Sequence, residues 1–161
     1  MRTLVSQLIL IEIYIGNAQG ALLNAWKYTH EQGRPWFTSG VARAIDDPFT
    51  RQHYGDLRIA LRGAIALAED AAAKLQKAWE RGDALSAEER GTLAVTIYET
   101  KIAAARAALD ITAKIFEVMG ARATAAKYGF DRYWRNVRVH TLHDSLAVSY
   151  THLRAHETSL H

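Results

Sequence analysis

Apolar residues recur every three or four positions through most of this chain, and that spacing leaves little room for anything but long helices. After Asp47 the stripe reads Tyr54, Leu57, Leu61, Ile65, Ala68, Ala72, Leu75 and Trp79, one face of a helix that needs a bundle to bury it. Asp47 before Pro48 supplies an N-cap with proline at the first helical position, and Gly82 suits a C-cap, so this helix is expected to end near Arg81. Ser86 and Glu89 form a capping box. A further helix is expected over 86–119, with Leu93, Ile97, Ile102, Ala105, Leu109, Phe116 and Met119 inside and Gly120 as its stop. A first helix is expected over 3–32. Its Gly16 and Gly20 lie four apart, where missing side chains let another helix approach. Both prolines, Pro35 and Pro48, fall in the connection 33–48. A short helix at 124–128 and another at 131–138 complete an all-α, up-and-down helical bundle.

Other classes fit poorly. The net charge of +3 is too small to argue for nucleic acid. With no cysteine there is no disulfide framework or zinc–thiolate site, which is compatible with a cytoplasmic protein. The run from Leu8 to Ile15 is apolar, but it contains Glu12 and leads into Gly16-Asn17-Ala18-Gln19, short of the roughly 20 apolar residues a membrane span needs. It reads as a buried helix, with no membrane partner expected.

The segment 130–144 differs in kind from the alanine-rich helices before it. Arg132, Arg135 and Arg138 sit three apart on one helical face. A solvated face with surface ion pairs and a phosphate contact through guanidinium forks are both open readings. His140 and His143 are i, i+3 neighbours beside Asp144. A metal would need further ligands, so none is expected. Spacing alone favours structural histidines over histidines that move a proton.

Phe116-Glu-Val-Met-Gly-Ala-Arg-Ala-Thr124 and Asp131-Arg-Tyr-Trp-Arg-Asn-Val-Arg-Val-His-Thr-Leu-His-Asp144 resemble the C-terminal signature of flavin monooxygenases built on the acyl-CoA dehydrogenase fold. The dibenzothiophene and sulfur-acquisition type is the most similar. Gly33-Arg-Pro-Trp36, Ser39-Gly40-Val41 and Asp46-Asp-Pro48 look like the same group. The resemblance implies reduced FMN supplied by a separate flavin reductase, O2 activated as a flavin C4a-hydroperoxide, and oxygen transfer to a small organosulfur or similar substrate. It implies that Arg34 and Arg122 hold the flavin phosphate side, often across a subunit interface, and that Gly120 lets backbone approach the cofactor. It places His140 and His143 near the isoalloxazine ring, His143 acting on the flavin–oxygen adduct and His140 supporting it. It also implies a homotetramer. Two alternatives stay open: an FAD-dependent acyl-CoA dehydrogenase piece, in which Asp144 falls near a catalytic acid, and a non-catalytic helical oligomerisation module.

The fold it resembles has an N-terminal helical domain and a middle β-domain before this bundle. Residues 1–147 are therefore expected to be the C-terminal domain alone, with Met1 an internal methionine and FMN bound weakly or not at all by this polypeptide. The resemblance stops after Ala147, and Ser145 stands where the family has proline. Val148-Ser-Tyr-Thr-His-Leu-Arg-Ala-His-Glu-Thr158 resembles one translated frame of a transposase-type sequencing adaptor. Residues 148–161 are expected to be a non-native tail, which removes His152, His156 and His161 from any functional argument.

Overall fold

The computed structural model describes residues 1–143; Asp144, Ser145 and the expected adaptor tail lie outside them. Four helices carry the fold: α1 (Arg2–Glu31), α2 (Pro48–Arg81), α3 (Ala87–Met119) and α4 (Asp131–His143). No strand occurs among the described residues. The caps form as their chemistry dictates. Asp47 accepts from the amides of Phe49 and Thr50. Ser86 and Glu89 satisfy each other's amides. Glu89 also takes a bidentate contact from Arg81 at 2.6 and 3.0 Å. That contact, followed by the bonds to Ser86, holds the Glu89 carboxyl down at about 2.

Three details depart from the spacing argument. The buried face of α2 keeps Tyr54, Leu57, Leu61, Ala68 and Leu75, but its other members are Ala64, Ala71 and Ala78. Ile65 and Ala72 are only half-buried and Trp79 is exposed. Alanines let α2 lie close, and a tryptophan on the seam would hold it away. The expected short helix at 124–128 is instead two 3-10 turns, Ala121–Thr124 and Ala126–Tyr128, broken where Ala125 is extended. The last helix runs past Arg138 to His143, because Val137 and Thr141 carry its buried face onward.

α1 and α3 run parallel: Leu4 lies beside Ala94 at one end, and Thr29 Oγ1 donates to the Val118 carbonyl at the other. α3 is the central helix, enclosing Ile97, Ala104, Ala108, Ile111 and Ile115, and also Lys101 at 1% exposure. By length and composition α1 could cross a membrane, yet Leu4, Ile11, Tyr14, Ile15, Ala18 and Ala21 are core residues of the bundle. Its opposite face leaves Ile9, Leu23 and Trp26 exposed.

α4 returns antiparallel along α1 in three rungs. Phe130 meets Tyr28 with ring centroids 5.5 Å apart. Asn24 donates to both the Gly20 carbonyl and the Tyr133 hydroxyl, each at 2.8 Å. His140 meets Tyr14 edge-on at 6.5 Å. Of the two glycines on α1, only Gly20 serves this approach: a Cβ there would lie 3.3 Å from the Tyr133 ring, whereas one on Gly16 would meet nothing within 4 Å. Gly20→Leu is expected to push α4 off α1, at a cost of about 1–3 kcal/mol typical of overpacking. Hydrogen exchange should speed up through α4 while the α2–α3 amides stay protected; unchanged α4 protection would refute this docking.

Candidate functional site

The residues singled out in the sequence gather at two places. The first is the last described turn of α4. Here His140 is half-buried against Tyr14, while His143, one turn on, is exposed without a hydrogen-bond or ion-pair partner among the described residues. The arginines of this helix do not form a common site. Arg135 pairs with Asp131 at 3.0 Å, Arg132 lies 5.1 Å from the Tyr133 ring centroid, and Arg138 is exposed. No group of three His, Asp or Glu side chains that could hold a metal occurs among the described residues.

The second place is the end of the bundle where α1 and α3 finish. The chain leaves α1 in a tight turn in which the amides of Gln32 and Gly33 both donate to the Tyr28 carbonyl. Arg34 follows, exposed, on the wall of a cleft of about 540 Å³ that Trp36, Phe49 and Gly120 also line. Gly120 ends α3 at φ +79, a conformation that favours glycine, and nothing within 4 Å occupies the space a Cβ would take. An incoming group can therefore approach its Cα closely, while its amide stays bonded to the Phe116 carbonyl and its carbonyl to the Ala123 amide. The two acids on this wall are engaged: Asp47 caps α2, and Glu117 lies 3.6 Å from His53.

Arg122 stands in the 3-10 turn just beyond Gly120, exposed. Its charge and that of Arg34 both bear on the phenol of Tyr28. Burial, then the contact with Tyr128, raises the Tyr28 pKa, and the two guanidiniums pull it back. Tyr28 packs edge-on against Tyr128 at 5.1 Å, and Tyr128 stacks over Phe130 at 6.1 Å. Tyr14, Tyr28 and Tyr128 were not singled out by spacing. The only local signal was a pair of tyrosines on the apolar face of α1, one mid-helix and one near its end, fourteen residues apart.

The model of the acyl-CoA dehydrogenase C-terminal domain matches residues 8–147. The chain belongs to that family. It is 52% identical over 141 residues to a dibenzothiophene monooxygenase from Mycolicibacterium goodii, covering 88% of this chain and 34% of the relative. It is 46% identical to a probable FMNH2-dependent monooxygenase from Pseudomonas putida, over 89% of this chain and 36% of that one. Among solved structures, methanesulfinate monooxygenase from Pseudomonas fluorescens superposes with a TM-score of 0.90 at 45% identity, over 94% of this chain and 39% of that one. An FMN-bound enzyme from Paenibacillus sp. A11-2 superposes with a TM-score of 0.88 at 39% identity, over 94% of this chain and 38% of that one. The chain thus spans about a third of the length of the curated relatives it matches.

The donor set at the α1–α3 end of this acyl-CoA dehydrogenase C-terminal domain fits the phosphate of FMN. Two exposed guanidiniums stand there with no carboxylate within salt-bridge distance among the described residues, and Gly120 leaves the space beside its Cα free on the cleft that Arg34 lines. Guanidinium forks match phosphate oxygens.

Proposed function

We propose that this chain is the helical wall of a two-component, FMN-dependent monooxygenase that oxidises a small organosulfur or similar substrate. The observation that carries the reading is the convergence of Arg34 and Arg122 on Tyr28, with Gly120 open on the Arg34 cleft, in a chain 52% identical to a dibenzothiophene monooxygenase. Arg34 and Arg122 hold the phosphate, and Gly120 lets it approach the backbone. Reduced FMN, delivered by a separate reductase in the cytoplasm, would supply the two electrons with which one oxygen atom of O2 enters the substrate and the other leaves as water. His143 gives or takes a proton through an imidazole nitrogen beside the ring. His140, wedged against Tyr14, keeps that turn of α4 in place.

The two clusters are separated along α1. His140 lies at Tyr14 and the arginines at Tyr28, and fourteen residues at 1.5 Å rise put them on the order of 20 Å apart. A five-carbon ribityl arm, at about 1.5 Å per carbon–carbon step, is short against that separation. The separation favours one FMN shared by two copies, its ring on one and its phosphate on the other, within the homotetramer that the resemblance implies.

Grafting residues 8–147 in place of the corresponding third of the Mycolicibacterium enzyme tests this. The graft should bind FMN and oxidise dibenzothiophene with reduced flavin, while the chain alone binds FMN weakly or not at all. Mixing an Arg122→Ala graft with a His143→Ala graft should restore part of the activity that each lacks alone. Micromolar FMN affinity in the isolated chain, or no recovery on mixing, would count against the two-copy site.

A further inference from the structure

The arginine cluster contains more than the two guanidiniums that resemblance assigns. Lys127 stands 4.9 Å from the Tyr128 ring centroid and acts on its hydroxyl, and Arg122 bears on the same phenol. Arg34, Arg122 and Lys127 have no carboxylate within salt-bridge distance among the described residues, whereas Arg43, Arg51, Lys74, Arg81, Lys114 and Arg135 each have one. Three cations brought to one pair of phenols without a counter-ion repel one another, and an added anion relieves that repulsion.

The phenols are also held in place. Tyr28 is 4% exposed and fixed between Tyr128 and Phe130. Tyr128 is half-buried, its ring set by packing against Tyr28 and Phe130. A fixed hydroxyl among cations is a directional donor to a phosphate oxygen, which the flexible side chains around it are not.

We propose that Lys127 and Tyr128 are two further contacts to the phosphate held by Arg34 and Arg122, with buried Tyr28 as the residue that positions Tyr128. This rests on the FMN reading above, and it makes the site one for a phosphate-monoester dianion rather than for a flavin ring. Burial opposes ionisation of Tyr128, but Lys127, Tyr28 and Arg122 together hold its phenol below the ordinary tyrosine range. That marks how strongly negative charge is favoured at this spot.

The test uses the full 161-residue chain and inorganic phosphate, followed by amide NMR. Saturable shifts are expected at Gly120, Arg122, Lys127 and Tyr128. Combining Lys127→Met with Tyr128→Phe should weaken binding about tenfold, as loss of hydrogen bonds to a charged group does, with the remaining amide spectrum unchanged. In the grafted enzyme, the same pair should weaken FMN but leave riboflavin, which lacks the phosphate, unaffected. Phosphate shifts elsewhere on the surface, or equal loss for FMN and riboflavin, would overturn the assignment of Lys127 and Tyr128. A graft whose FMN affinity ignores these two residues but falls with Arg122→Ala would overturn the proposal and leave the flavin reading standing. A graft that binds no FMN at all would overturn both.

Discussion

Gly33→Ala is expected to destabilise the bundle by about 3 kcal/mol or more, at the upper end of overpacking penalties. A Cβ at Gly33 would run into the Thr29 carbonyl oxygen and sit 3.0 Å from the Thr29 Cα and 3.1 Å from the Ala44 Cβ. The first two are backbone atoms in the last turn of α1, so no rotamer change relieves the clash. The Thr29 side chain is itself tied down, to the Tyr54 hydroxyl at 2.7 Å and the Val118 carbonyl at 3.2 Å. Moving that turn would disturb α2 and α3 together. Thermal unfolding followed by circular dichroism should show a midpoint lowered by about 10 °C, given the usual few degrees per kcal/mol at this size. Gly16→Ala is the control: it is helical, nothing lies near its would-be Cβ, and it should stabilise by about 0.5–1 kcal/mol. Equal midpoints for the two variants would mean that the tight turn before Arg34 is not as packed as described.

His143→Ala in the grafted enzyme is expected to lower kcat by about 10²–10⁴, the range of a positioned acid or base. Stability and FMN affinity should hardly change, because the side chain is exposed and makes no contact that supports the fold. His140→Ala should differ in kind. Its ring packs edge-on against fully buried Tyr14, so part of its effect should appear as looser packing and lower stability. Rates with reduced FMN and dibenzothiophene, measured beside unfolding midpoints, separate the two roles. Full activity in His143→Ala would remove this residue from the chemistry and favour the non-catalytic module. Loss of activity only on changing Asp144 would favour the dehydrogenase-like assignment.

The long helices were legible because their signals are local. Asp47 and Ser86 cap within a few residues of themselves, so their bonds follow from sequence neighbours. Which side of α2 faces inward was less legible. Ala64, Ala71 and Ala78 are too small to stand out beside Ile65 and Trp79, and a one-residue change of phase separates the two readings. Arg34, Gly120, Arg122, His140 and His143 were found through resemblance, and their separation into two clusters emerged only with the antiparallel return of α4 along α1. The Tyr28–Tyr128 pair was invisible in sequence, since those residues meet only after the chain returns at the far end of the bundle. Spacing arguments do not reach across such a distance.

The three rungs between α1 and α4 make α1 a measuring rod. Tyr14 and Asn24 each receive a residue of α4 and Tyr28 receives Phe130 just before it, so the spacing along the two segments has to match. One residue inserted between Tyr14 and Asn24 would rotate the Tyr14 end by about 100° and shift it by 1.5 Å, so His140 would lose its rung while Tyr133 kept its own. Descendants of this sequence are therefore held to the same length of α1 between those rungs, whatever its outward-facing residues become. The turn at Gly82–Ala84, which joins α2 to α3, carries none of these rungs; its own length is held by the Arg81–Glu89 contact across it.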